Sequence, residues 1–211
     1  MFTGIIEHSG RVTAISRTDK GACLTLYIKG IRIHKGDSVA VNGVCLTTIS
    51  AKNGGYSFDV VSETLSRTDI GKFTVGSIVN IELPMTTNSR FGGHFVQGHI
   101  DGTGKIQGRE TVGEAILMWI KVEPPIADIL VEKGSVAVDG VSLTVVDVTN
   151  DAFSVALIPY TLEKTTLGRK SIGDTVNIET DIIGKYIKKY LKEGRKQGNV
   201  TKKFLEEAGF V

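Results

Sequence analysis

Cysteine is scarce in this chain. Cys23 and Cys45 are the only two among 211 residues, too few for a disulfide framework or a four-cysteine zinc site. No apolar run approaches the ~20 residues that a membrane-spanning helix needs, which speaks against a membrane partner. The opening Met1-Phe2-Thr3-Gly4-Ile5-Ile6-Glu7 has no basic stretch and soon turns polar. It does not read as a signal peptide, and the cytoplasm is the expected location. A phosphate-cradling Gly-Lys-Ser/Thr loop is missing, as is a Gly-x-Ser-x-Gly elbow. Gly102-Thr103-Gly104-Lys105-Ile106-Gln107-Gly108 comes near a dinucleotide loop, but its last glycine falls one residue late and no helical pattern follows. Net charge is small, +2 at pH 7, and uneven: residues 184–211 carry eight basic side chains against three acidic ones. A nucleic-acid binder would spread its positive charge and interleave aromatics with it, so nucleic acid is not expected as a partner.

What the chain does have is a second copy of itself. Val39-Ala40-Val41-Asn42-Gly43-Val44-Cys45-Leu46-Thr47 returns 97 residues later as Val136-Ala137-Val138-Asp139-Gly140-Val141-Ser142-Leu143-Thr144. The register holds without a gap to Val79-Asn80-Ile81-Glu82 and Val176-Asn177-Ile178-Glu179, and a shift of 94 residues aligns Ile6–Val12 with Ile100–Ile106. A repeat near 100 residues is one small domain, too long for a solenoid unit. The expected division is residues 1–90, 91–183 and a tail 184–211, with a linker near Leu83–Gly93, where Pro84, Asn88 and Gly92-Gly93 break the pattern. Two such domains can build two similar pockets.

Both copies read as β structure. Short runs rich in Val, Ile, Thr and Phe are punctuated by turn signals such as Asn42-Gly43, Asn53-Gly54, Asp139-Gly140 and Asn150-Asp151. Alternation in Ser38–Val41 and Thr175–Glu179 suits strands with one buried face. About six short strands per copy predict two small antiparallel barrels rather than a βαβ sheet. In the tail, Ile183, Tyr186, Ile187, Tyr190 and Leu191 recur at helical spacing with lysines between them. This amphipathic helix either packs on its own barrels or joins copies of the chain. A second short helix is expected over residues 201–208, after an N-cap at Thr201.

The repeated turn is the richest place to look for chemistry. Alternation puts Cys45 with Thr47, and Ser142 with Thr144, on one side of a strand beside each turn. Such groups can hydrogen-bond a flat heterocycle, or they can satisfy local backbone around a tight hairpin. The copies differ at Asn42 against Asp139, Cys45 against Ser142 and Ser62-Glu63 against Pro159-Tyr160. Those differences could make similar pockets treat similar ligands differently. His94 and His99 each follow a glycine. If they lie on one strand, their odd spacing puts them on opposite faces, which argues against a shared metal.

Met1–Glu7, Asn42–Thr47, Gly92-Gly93-His94 with Gly98-His99, Asp139–Thr144 and Thr161–Gly168 together closely resemble the riboflavin synthase family, in order and at the right spacings along essentially the whole chain. The resemblance implies an all-β fold of two six-stranded Greek-key barrels and a C-terminal helix that assembles a homotrimer. It implies a transferase with no external cofactor. Two molecules of 6,7-dimethyl-8-ribityllumazine exchange a four-carbon unit, giving riboflavin and 5-amino-6-ribitylaminouracil. It further implies sites shared between subunits, with lumazine synthase as a candidate partner. One pocket would use Cys45-Leu46-Thr47, Asp59, Val60, Val61, Ser62, Glu63, Thr64 and Gly98-His99-Ile100, with Lys133 nearby. The second would use Gly4-Ile5-Ile6, Ser142-Leu143-Thr144, Ile158, Pro159, Tyr160, Thr161, Leu162 and Glu163. Cys45, His94, His99, Lys133, Asp139, Ser142, Thr144 and Asp181 match the family's catalytic positions. Ser142, Thr144 and Cys45 would polarise or activate water, and a histidine or Asp139 would move protons. A competing reading is the light-emitting lumazine proteins, which share the fold and bind a ligand without turning it over. They diverge in the second copy, which here keeps Asp139, Ser142 and Thr144.

Overall fold

The computed structural model describes residues 1–194 and Glu206. Each repeat forms six antiparallel strands. The first copy contains β1 (His8–Thr18), β2 (Gly21–Ile28), β3 (Ser38–Val41), β4 (Val44–Lys52), β5 (Gly55–Val61) and β6 (Ile78–Glu82). The second contains β7 (Gly102–Val112), β8 (Ala115–Lys121), β9 (Ser135–Val138), β10 (Val141–Val148), β11 (Ala152–Leu157) and β12 (Thr175–Thr180). Both close into barrels with one spatial order, β1-β2-β5-β4-β3-β6 and its counterpart β7-β8-β11-β10-β9-β12. Closure leaves no free sheet edge. Short helices follow β5 and β11 at matching places: α1 (Ser62–Arg67) and α3 (Pro159–Lys164), with α2 (Pro124–Ala127) between β8 and β9.

Each barrel has its own core. Leu24, Phe58, Ile70 and Ile81 are fully buried in the first, and Met118, Ile120, Phe153 and Ile178 in the second. A third, smaller cluster of Phe2, Ala40, Val96 and Ala137 lies between them. It explains why β3 and β9 do not show the half-buried alternation expected of Ser38–Val41. Their inward residues fill the barrels, and Ala40 and Ala137 are buried on the outer side.

Asn42-Gly43 and Asp139-Gly140 make the expected two-residue hairpins. φ is 45° and 78° in one and 46° and 79° in the other, the left-handed pair of a type I′ turn. The two turns lie back to back: a Cβ on Gly43 would stand 2.7 Å from the Gly140 nitrogen, and the converse holds. Around them Asn80 Nδ2 donates to the Asp139 carbonyl and Asn177 Nδ2 to the Asn42 carbonyl, both at 2.9 Å. Crossed amide bonds of this kind, one from each half, lock barrel to barrel.

The connection from β6 to β7 runs through residues 83–101 and carries no strand, only an isolated bridge between Val96 and Phe2. His94 and His99 therefore sit on a loop, not on the single strand considered from their spacing. The tail forms α4 (Ile182–Gly194), capped by Asp181 Oδ1 accepting from the Ile183 N–H at 2.9 Å. Lys185 reaches Asp101 and Lys188 reaches Asp128, each at 2.7 Å. These ion pairs tether the helix by its polar side. Ile183, Tyr186, Ile187, Tyr190 and Leu191 consequently face outward, each more than half exposed. The expected second helix at 201–208 lies outside the described residues, save Glu206.

Candidate active site

Two equivalent junctions form where the barrels exchange chain. The leading arm Phe2–Gly4 belongs to the first barrel, yet the Gly4 carbonyl accepts from the Ser142 N–H on β10 of the second, at 2.8 Å. The equivalent arm Val96–Gly98 leads into the second barrel, and the Gly98 carbonyl accepts from the Cys45 N–H on β4 of the first, at 3.0 Å. Phe2 and Val96 bridge each other midway, through bonds of 2.7 and 3.2 Å. The arms approach so closely that an added Cβ on Gly4 would stand 2.6 Å from Ser142 Cβ, and one on Gly98 2.4 Å from Cys45 Cβ. Only glycine fits either place.

Buried carboxylates hold both arms. Glu82, ending β6, accepts from the Thr3 N–H at 2.6 Å, the Thr3 hydroxyl at 2.8 Å and the Gly4 N–H at 3.0 Å. Glu179 on β12 accepts from the Gln97 N–H at 2.7 Å and the Gly98 N–H at 2.9 Å. Burial raises the pKa of both carboxyls, and the arm hydrogen bonds partly offset it. Sequence reasoning missed these two residues. The signal was the identical Val-Asn-Ile-Glu in each copy, which places an acid where the strand pattern is buried.

The Cys45 pocket is a cavity of about 230 Å³ lined by Cys45, Glu63, Thr64, Arg67, Gly98, His99 and Ile100, among others. Arg67 Nε donates to Glu63 along α1. On the Ser142 side, His94 Nδ1 lies 2.7 Å from Ser142 Oγ. The His94 ring is buried, and its Nε2 has no protein partner. Desolvation lowers the His94 pKa, with Asp181 pulling the other way. Burial thus favours the neutral imidazole, which shares a hydrogen bond with the Ser142 hydroxyl. The two histidines lie at different junctions, His99 lining the Cys45 cavity and His94 against Ser142.

The remaining sequence-derived positions divide. Thr47, Asp59, Val61, Ser62, Thr144, Ile158, Pro159, Tyr160 and Glu163 are exposed along the pocket-bearing elements, with Ile5, Ile6, Thr161 and Leu162 close by. Leu46 and Val60 point into the first barrel's core, and Leu143 and Leu162 pack against the second's; what they can offer a ligand is backbone. Lys133 lies on the second barrel, in the turn before β9 at φ 64°, while Cys45 is on the first.

Asp139 departs most from expectation. It is wholly buried beneath its turn, Oδ1 accepting from the Asn177 N–H at 2.7 Å and Oδ2 facing Lys170 Nζ at 3.2 Å. Its counterpart Asn42 instead donates to Asp69 at 2.7 Å. The Asn42/Asp139 difference therefore reflects where each half keeps its buried acid at the junction. Proton shuttling at a ligand is not a role this burial supports.

Two linked closed barrels, each with polar side chains gathered where the other's leading arm meets its hairpin strand, define a tandem-barrel small-molecule protein. The lumazine binding domain model matches it twice, over residues 3–84 and 97–181. Relatives named riboflavin synthase from Actinobacillus pleuropneumoniae and Bacillus subtilis (strain 168) are 44% and 43% identical over the full length of both chains. One from Mycobacterium tuberculosis (strain ATCC 25618 / H37Rv) is 42% identical over 91% of this chain and 98% of its own. Crystal structures of LumP, complexed with 6,7-dimethyl-8-(1'-D-ribityl) lumazine and with riboflavin, superpose with TM-scores of 0.75 and 0.77 at 22% identity, covering 85% of this chain and 99% of theirs. At that identity they speak to the fold alone. The chain belongs to the riboflavin synthase family, a family of transferases.

Proposed function

We propose that the chain converts two molecules of 6,7-dimethyl-8-ribityllumazine into riboflavin and 5-amino-6-ribitylaminouracil. The full-length likeness to riboflavin synthases supports this, and the observation that carries it is the pair of unequal polar clusters where each arm meets the other barrel, Gly98 with Cys45 and His99, Gly4 with Ser142 and His94. The C7 methyl of the lumazine is acidic because its carbanion delocalises into the electron-poor ring. The substrate is thus its own electron sink, and the protein has to position two rings and move protons. Neutral His94 accepts a proton through Ser142 in one pocket, while Cys45 and His99 present a thiol and an exposed imidazole in the other. Thr47, Thr144, the backbone of 59–64 and that of 158–163 hold the ring edges and ribityl chains.

The complete reacting site joins the first barrel of one subunit to the second barrel of its neighbour in a cytoplasmic homotrimer. Val61, Ile158 and Tyr160 are exposed apolar surface beside the pockets, and the outward stripe of α4 is unpartnered among the described residues; both suit burial against another copy. Lys133 would complete the Cys45 pocket from across that contact. Lumazine synthase, which would supply the substrate, is a candidate associate. Purified protein given the lumazine alone is expected to develop riboflavin absorbance. Stoichiometric binding without turnover would select a light-emitting lumazine protein instead.

A further inference from the structure

We propose that Glu82 and Glu179 are positioning residues wired crosswise: each carboxylate, fixed in the wall of one barrel, sets the reactive pocket of the other. This rests on the activity proposed above. Glu82 ends β6 of the first barrel and gathers the Thr3 and Gly4 N–H groups, and the Gly4 carbonyl then receives the Ser142 N–H of the second barrel. Ser142 is the residue whose hydroxyl meets His94. Glu179 on the second barrel gathers the Gln97 and Gly98 N–H groups, and the Gly98 carbonyl receives the Cys45 N–H of the first barrel, next to His99.

The chain of contacts is short at each end and polar throughout. Charge-assisted hydrogen bonds to backbone donors are stronger and more directional than neutral ones, so a carboxylate holding two successive N–H groups fixes the peptide between them. Neither glutamate lies within the Cys45 pocket or touches Ser142. They act through the arm. The arrangement is also unequal: Glu82 additionally accepts from the Thr3 hydroxyl, whereas the Glu179 oxygens take backbone donors only. Lys185 and Asp101 are the charged groups felt by Glu179, and Glu7 the one felt by Glu82.

The test uses the full-length protein in its assembled form, with E82Q and E179Q made separately. The side-chain resonances of His94 and His99 report the two pockets, and His8 and His34 serve as references. E82Q is expected to shift His94 and leave His99 as in the unaltered protein, and E179Q to do the reverse, with or without riboflavin as the probe ligand. Riboflavin's effect on the affected histidine should need about tenfold more ligand, the loss typical of one charge-assisted bond. Disturbance of the pocket on the glutamate's own barrel, or of both pockets by either variant, would overturn the crossed assignment. If E82Q does not fold, Thr3→Val removes one donor to the same carboxylate and should move His94 alone. If E179Q does not fold, Glu179→Asp retracts the charge and should move His99 alone. Failure of the unaltered protein to turn over the lumazine would count against the activity, and the ligand-free resonances would still decide the wiring.

Discussion

At the residue scale, the most consequential contact is His94 Nδ1 on Ser142 Oγ. Burial holds the imidazole below its ordinary pKa, so its base form persists under neutral conditions and is lost as pH falls through that lowered value. Turnover should show an acid limb below neutrality, and His94→Gln should abolish that limb along with about 10²-fold of kcat. Ser142→Ala should cost a similar factor, and the double variant little more, because the two act as one unit. Steady-state kinetics across pH would check all three. A second residue-scale expectation concerns stability. Burial and the nearby Asp139 push the Asp69 carboxyl up from 3.8 to about 7, against the pull of Lys170. A raised acid stabilises the fold while protonated: that contribution is complete below the unfolded value and vanishes as pH rises through about 7. Thermal or denaturant unfolding should therefore show roughly 2 kcal/mol less stability at pH 8 than at pH 5. Asp69→Asn should flatten that slope.

At the scale of elements, the hairpins show what the sequence could and could not reveal. Asn-Gly and Asp-Gly between β-rich runs marked turns, and the repeat pointed to two similar small barrels; the structure has a tight hairpin at each turn and one strand order in both barrels. That the turns meet back to back was not legible, because nothing local to Gly43 encodes Gly140 as its neighbour. The same reason hid the arms. Gly4 and Ser142 are far apart in the chain, and no periodicity links a loop residue to a strand of another domain. The alignment did expose Asn42 against Asp139, but not that the difference lies buried at the junction, where Asn42 donates to Asp69 and Asp139 faces Lys170. Gly43→Ala tests the contact directly. Gly36 also has positive φ, at 94°, but nothing lies within 4 Å of its added Cβ. Gly36→Ala should cost only the backbone term of about 1 kcal/mol, while Gly43→Ala should cost at least 2 kcal/mol more, because backbone across the junction must shift. Equal losses in chemical unfolding would deny the junction its role.

At the scale of the whole molecule, α4 presents its apolar stripe to solvent because Lys185 and Lys188 anchor the opposite side. Beside it a groove of about 570 Å³ runs between α4 and the segment Asp128–Ser135. An exposed face of this size on a rigidly held helix favours association. Deleting residues 184–211 should convert a trimer to monomer on a sizing column and lower activity with it. A truncated protein that stays trimeric and fully active would refute the assembly role.

The bridge between Phe2 and Val96 also dictates how the molecule could be recombined with its kin. Because each half lends its leading segment to the recess of the other, a cut at the sequence boundary between repeats separates a recess from its own wall. A chimera that takes only a relative's second half would import Gly98 to face a native Cys45, and leave the incoming Ser142 against a native Gly4. Breeding a new specificity into one recess thus means transplanting a barrel together with the arm of its opposite, so the heritable unit of function here is not the heritable unit of fold.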